Sequence, residues 1–278
     1  MTSLKLAADY FVPDGSPLEH ALARTTHLGI GAHPDDLEIM AFHGISHCYP
    51  SADDWFTGIV LCDGAGSPRS GDYADYSDTE MAATRLGEQR RAAEIGRYSL
   101  QVQLGYASAA LASAEQESVV AELLELLQAT QPRVVYLHNL VDSHATHVNA
   151  ALCCLEALRR LPSAARPQQV WGMEVWRGLD WLPAEFKVAL PINDPAGLQQ
   201  QLIAAHQSQV AGGKHYDRAV LARQTANATF GASDAVDRDS ACALAMDLQA
   251  LLLQDGPSPA QYLEQVLIRF AEQIKLAD

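Results

Sequence analysis

Between residues 25 and 160, short apolar runs alternate with longer stretches in which apolar positions recur every three or four residues. The run TTHLGIGA (25–32) predicts a buried strand that stops at His33-Pro34-Asp35-Asp36, and DLEIMAFHGISH then continues with helical spacing. Pro34 suits the first turn of that helix, where its missing N–H costs nothing, and the two Asp suit the positive helix N-terminus. A second strand is predicted over 57–63. It leads into the Gly-rich loop GAGSPRSGDYADYSD and an amphipathic helix over about 79–96. LQVQLGY reads as a strand, followed by a helix within about 113–129, a strand over 133–138 and a helix over about 144–160. QVWGMEVW and FKVALPI are expected as further strands. After Pro195 the pattern turns mostly helical, with breaks at Ala211-Gly212-Gly213 and Asp255-Gly256-Pro257. Strands alternating with helices of this length imply right-handed βαβ crossovers, hence an α/β fold with a mostly parallel sheet flanked by helices. One domain is expected over 1–278, with a core at about 25–190 and a helical C-terminal extension at about 195–278.

Composition removes several function classes. The chain has 278 residues, 48% of them apolar, which is enough to build a core. No apolar run approaches the roughly 18 residues of a spanning helix, so no membrane span is expected. A formal charge of −15, with no basic run, opposes nucleic acid as a partner, because phosphates are held by clustered Lys and Arg. Five cysteines form no CxxC pair, so neither a disulfide framework nor a thiolate zinc site is indicated. The first residues do not read as a signal peptide, and a reducing cytoplasm is the expected location. The oligomeric state stays open, a homo-oligomer included.

Two constellations carry chemistry. His33-Pro34-Asp35-Asp36 follows one predicted strand, and His138-Asn139-Leu140-Val141-Asp142-Ser143-His144-Ala145-Thr146-His147 follows another. Open parallel sheets bind ligands beyond the carboxyl ends of their strands, so both constellations fall where ligands bind. His144 and His147, three apart at a helix start, project from one face, as two ligands or as a ligand with an acid/base partner. Mixed His and Asp without Cys suits Zn²⁺ or a related divalent ion, with an open position for water. Such an ion lowers the pKa of water towards about 7 and polarises an amide carbonyl, so the chemistry expected is metal-assisted hydrolysis.

With HPDD after one strand and Asp142-x-His144-x-x-His147 after a second, the chain resembles the PIG-L/LmbE-type N-acetylglucosaminyl deacetylase family. The resemblance extends to Gly64-Ala65-Gly66-Ser67 and to Arg85-x-x-Glu88 followed by Ala92-Ala93-x-Ile95-Gly96, and covers roughly 25–160. It implies a Rossmann-like sheet, one zinc ion per chain and removal of acetyl from an N-acetylated amino sugar. By matching position it implies that His33, Asp36 and His147 hold the metal, that Asp35 is the general base, and that His144 polarises the carbonyl or stabilises the oxyanion. In one departure, the familiar AHPDDE has its acid directly after the second Asp, whereas here Leu37 intervenes before Glu38.

From the residues themselves, Asp35 cannot easily bind the same ion as both neighbours, which leaves it free to accept a proton from water. Asp142 is expected to orient His144 or another ring. Arg69 and Arg85, with Asp142, are the candidate substrate-binding residues, the arginines for an acidic group on the substrate.

Other signals read differently. His43 and His47 have the spacing of a helical zinc pair but lack the Glu of HExxH. Their helix starts at the metal loop, so helix packing or surface exposure is expected. Asp63-Gly64-Ala65-Gly66 begins like a dinucleotide fingerprint, yet Arg69 takes the third glycine's place, and a substrate wall is the better reading. Cys153 and Cys154 fit core packing, and no GxSxG occurs. Asn227-Ala228-Thr229 is a chance sequon. Among Trp171, Trp176 and Trp181, core packing is expected over sugar stacking for any one. His206-Gln207-Ser208-Gln209 is a candidate polar pocket wall.

Overall fold

In a computed structural model the described residues are 8–274 except 212, 232, 233 and 235. Gly212 of the expected Ala211-Gly213 break and the first seven residues therefore lie outside them. Eight strands form one sheet: β1 (Asp9–Phe11), β2 (His27–Gly31), β3 (Phe56–Cys62), β4 (Leu100–Tyr106), β5 (Val134–His138), β6 (Gln169–Met173), β7 (Lys187–Pro191) and β8 (Cys242–Asp247). Their order is β1-β4-β3-β2-β5-β6-β8-β7. The five strands from β4 to β6 are parallel, β1 and β8 run antiparallel to them, and β7 pairs antiparallel with β8 at the edge. The chain winds outward from β2 in one direction and from β5 in the other, so the topological switch point lies between them.

Ten helices accompany the sheet among the described residues: α1 (Leu18–Ala23), α2 (Asp36–Met40), α3 (Phe42–Cys48), α4 (Asp78–Ile95), α5 (Gln116–Thr130), α6 (Ala145–Arg160), α7 (Leu198–Ala204), α8 (Gln207–Val210), α9 (Tyr216–Phe230) and α10 (Pro259–Gln273). Two apolar clusters fill the two faces. One packs Leu28, Ile30, Ile59 and Val102 against α5 and α6, and the other packs Phe56, Val60 and Tyr136 against α2, α3 and α7. Strands β2, β3 and β5 are buried along their whole length because helices cover both sides, which explains their unbroken apolar runs. None of the described helices is long and apolar enough to cross a membrane.

The structure corrects three expectations. The sheet does not end near residue 190: the stretch after Pro195 is mostly helical, as expected, but its one strand among the described residues, β8, inserts between β6 and β7 and completes the sheet. CALAMD carries no alternation because both of its faces are covered, which leaves periodicity silent about strand or helix. The helix after HPDD is two helices, α2 and α3, broken at Ala41. Pro34 precedes the cap instead of occupying the first turn, because Asp35 is the N-cap residue.

Candidate active site

The two sequence constellations meet at the switch point. β2 and β5 are neighbours, and the loops beyond them bring His33, Asp36 and His147 together with one ligand atom from each within 4.8 Å of the others. Asp36 is the hub. One oxygen lies 3.4 Å from His147 Nε2 and the other 3.5 Å from His33 Nδ1. The second oxygen also accepts the His33 backbone N–H at 2.7 Å, which closes the HPDD loop on itself. His147 holds the Asp36 carboxyl well below the usual range against the opposing effect of burial. Two imidazoles and a carboxylate facing one point are a donor set for Zn²⁺ or a related divalent ion, and they fit the ion the sequence implies.

Support for His147 comes from Asp142, whose carboxylate lies 3.5 Å from Nδ1, the ring nitrogen facing away from Asp36. The same carboxylate accepts the backbone N–H groups of His144 and Trp176, at 2.9 and 3.1 Å. Asp142 is thus buried behind the cluster with its acceptors committed to protein groups. His138, named in the same constellation, stacks on His147 with ring centroids 3.9 Å apart. Burial and the neighbouring His147 push it down to about 4, so its ring is neutral and its Nε2 accepts the Ala32 N–H at 2.9 Å.

Asp35 stands apart from the cluster. Its backbone is left-handed, with φ 94° and ψ −21°, a conformation that costs a non-glycine residue on the order of 1–3 kcal/mol. That turn separates its carboxylate from that of Asp36. Arg85 Nη2 reaches Asp35 Oδ2 at 3.1 Å and also donates to the Pro34 carbonyl, while Nη1 donates to Ser67 Oγ. Burial pushes the Asp35 carboxyl up, Arg85 works against the rise and Asp36 adds to it.

Arg85 is 3% exposed, and these guanidinium bonds go to protein groups rather than to surface ion pairs. Gly64 permits this approach: its φ is +70°, and a Cβ there would sit 2.9 Å from Arg85 Nη1. Arg69 lies outside the cavity lining, donating to the Ala65 carbonyl at 2.9 Å and to Asp78.

A cavity of about 580 Å³ opens over the cluster. Gly64, Gly66 and Ser67 form one wall, as expected of that loop, and Ser108 lies 3.4 Å from His33 Nε2. His144, Trp176, Lys214 and Tyr216 also line the cavity. His144 stacks beside His147 at 4.6 Å between ring centroids, and burial together with His147 and His33 lowers its pKa, which favours the neutral ring. Trp176 is 40% exposed, with Tyr216 edge-on at 5.9 Å and Lys214 Nζ 4.9 Å from its ring centroid. Burial and the charges of Asp35 and Asp36 raise the Tyr216 pKa.

Trp171 is buried and Trp181 packs against Phe270, as expected of core aromatics. Lys214 and Tyr216 carry no sequence pattern of their own, because only the chain path brings them, with Gln209, to the cavity. Gln209 lines the cavity, whereas His206 is fully buried against Glu38 and Ser208 binds Glu88.

His43 and His47 do not converge on one ion. His43 Nδ1 pairs with the Tyr136 hydroxyl at 2.9 Å. His47 joins His27 and Asp54 at the opposite end of the sheet, where Arg133 also binds Asp54. The five cysteines are all buried and free, and Asn227 spends its amide on Glu174 and the Cys242 carbonyl.

Residues 28–158 match the PIG-L family, described as GlcNAc-PI de-N-acetylase. The chain carries a PIG-L domain. The match starts on β2 and ends within α6, so it holds both His/Asp constellations but not Trp176, Lys214 or Tyr216. No curated protein matches the chain. Among solved structures it is similar to GalB, the 4-carboxy-2-hydroxymuconate hydratase from Pseudomonas putida KT2440. That similarity has a TM-score of 0.62 at 17% identity and covers 80% of this chain and 95% of that one. It is also similar to N,N'-diacetylchitobiose deacetylase from Pyrococcus horikoshii, with TM-score 0.59, 19% identity and coverage of 80% and 84%. A deacetylase of teicoplanin biosynthesis gives TM-score 0.57, 13% identity and coverage of 79% and 96%. A hydratase and two deacetylases thus share the fold, and the fold does not choose the reaction.

Proposed function

We propose that this protein is a zinc-dependent hydrolase of the cytoplasm that removes the N-acetyl group from an N-acetylglucosamine-type amino sugar or its conjugate. The observation that carries this reading is the His33, Asp36 and His147 cluster beside a carboxylate, Asp35, that is held away from it by Arg85. The PIG-L match over the same residues supports amide hydrolysis over hydration. Zn²⁺ bound by His33, Asp36 and His147 supplies Lewis acidity to the amide carbonyl and acidifies water.

The chain's own groups do the rest. Asp35 accepts the proton of the attacking water as its oxygen bonds to the carbonyl carbon. His144, a neutral ring at the cavity edge, donates an N–H to the oxyanion, where one such donor contributes roughly 3 kcal/mol. The C–N bond then breaks, and Asp35 returns its proton to the departing amine, leaving acetate and the free amino sugar. Trp176 offers an aromatic face to the sugar ring.

The test is acetate release from N-acetylglucosamine conjugates with phospho-, inositol-, malate- and oligosaccharide linkages, before and after chelation. Release that stops on chelation and returns with Zn²⁺, at about one ion per chain, is the expected result. Turnover by metal-free protein overturns the mechanism. Bound metal with no acetate from any conjugate overturns the substrate class, leaving a non-sugar amidase or esterase, or a metal- or sugar-binding protein without turnover.

A further inference from the structure

Asp35 occupies a conformation that ordinary side chains avoid, and its backbone N–H is held by a side chain from another element. Gln89 on α4 accepts that N–H with Oε1 at 3.1 Å. Its Nε2 donates to Glu38 Oε1 at 2.9 Å. Glu38 is fully buried and carries three further partners: the Tyr98 hydroxyl at 2.7 Å, His206 Nε2 at 3.0 Å and Gln199 Nε2 on its backbone carbonyl at 3.4 Å. Gln89 itself is 0% exposed, so neither end of its amide has water as an alternative partner. An amide has one acceptor end and one donor end. Glu38, an acceptor, therefore fixes which end of Gln89 meets Asp35. His206 and Gln199 come from the segment around α7 and α8, which also supplies Gln209 to the cavity wall.

We infer that Gln89 is a positioning residue for the reaction, its amide oriented by Glu38 and Glu38 anchored by His206, so that the left-handed Asp35 peptide keeps its carboxylate beside Arg85 and out of the metal cluster. This rests on the reading of Asp35 as general base. It also assigns a task to Glu38, which stands one place later than the acid of the familiar motif: an acceptor two residues beyond Asp36 that locks a glutamine across the α2–α4 contact. Leu37, at the place in between, is buried and packs against Gly29 and Gly58 of the sheet.

Two variants and two readouts test the inference: Gln89→Leu, and the exchanged pair Glu38→Gln with Gln89→Glu, which reverses donor and acceptor while conserving charge. The first readout is amide hydrogen exchange at Asp35 in the full chain, which needs no substrate. Gln89→Leu is expected to speed it by at least about tenfold while other core amides stay unchanged, and the exchanged pair to restore protection. The second is kcat on the conjugate that releases acetate fastest. It should fall by about tenfold or more in Gln89→Leu, with KM and bound metal unchanged, and recover in the exchanged pair.

Unchanged Asp35 exchange in Gln89→Leu overturns the inference, as does an unchanged kcat. If Gln89→Leu does not fold, the exchanged pair decides alone: wild-type protection and kcat support the positioning role, and loss of either overturns it. If no conjugate releases acetate, the deacetylase reading fails while the exchange measurement still judges the positioning.

Discussion

Asp35 and Asp36, adjacent in sequence, answer to opposite partners: Arg85 lies 3.1 Å from the first, while His147 and His33 lie 3.4 and 3.5 Å from the second. Asp35 sits in a left-handed turn, and that turn carries its side chain to Arg85. Two neighbouring acids with different surroundings can take different roles, and the variants below separate those roles.

Asp35→Asn keeps the cluster and removes the proton acceptor. Bound metal should stay at the wild-type level while kcat falls by roughly 10²–10⁴. Elemental analysis beside single-turnover kinetics checks it, and a near-normal rate would assign the base elsewhere.

His147→Ala removes a metal-side ring and Asp142→Asn only its support. The first is expected to abolish tight metal binding, and the second to weaken it by roughly 10–100-fold. Competition with a chromophoric chelator measures both, and equal affinity in Asp142→Asn and wild type would show that the 3.5 Å contact orients nothing.

His206→Leu strands the buried Glu38 carboxylate. Breaking a buried pair by removing one partner costs about 3–5 kcal/mol, so urea unfolding should show a loss of that size. Glu38→Gln with His206→Leu should recover part of it, since no buried charge is then left alone. A double variant no better than the single would mean that packing at His206, and not the pair, sets the stability.

Acid should destabilise the fold from the end of the sheet opposite His33, Asp36 and His147. Burial, helped by His47, pushes His27 and His43 down to about 4 from an ordinary 6.5. Between those values the unfolded chain binds more protons than the folded one, so stability is lost as pH falls from about 6.5 towards 4. For the almost fully buried His27 the effect is on the order of 2 kcal/mol. Urea midpoints at pH 7 and pH 5 are the measure. His43→Phe should show a smaller acid loss than wild type relative to its own pH 7 value, and an equal loss would contradict the assignment.

Trp176→Ala should raise KM for the cleaved conjugate by roughly tenfold and leave kcat nearly unchanged, because the ring lies at the cavity rim and not against the cluster. Initial-rate kinetics decide it. A fall in kcat at constant KM would instead make Trp176 a support for His144, whose ring centroid is 6.5 Å away.

Much of the centre is local in sequence, and local features could be read. HPDD must follow a strand because four consecutive residues supply both Asp36 and its loop-closing bond to the His33 N–H. His144 and His147 stack because His144 caps the helix whose first turn carries His147. Arg85 was legible as a charged residue, and its burial was signalled by Met81, Ala92 and Ala93 on the same helix stripe. Gln89, four residues after Arg85, lies on that stripe as well, and an uncharged amide among apolar neighbours announces no chemistry.

What the tertiary structure alone decided is non-local. β8 pairs with strands far from it in sequence. Glu38 meets His206 across 168 positions, and Lys214 and Tyr216 reach the cavity only after the C-terminal segment has crossed the sheet. The parallel α/β core, the position of the two constellations at strand ends and their donor types were legible in the sequence, because side-chain period and strand-end loops obey short-range geometry, whereas the adjacency of β2 and β5 was not. The left-handed turn at Asp35, the burial of Arg85 against Asp35, Pro34 and Ser67, and the cavity's aromatic wall needed the folded chain, since each depends on partners that only long-range packing brings together.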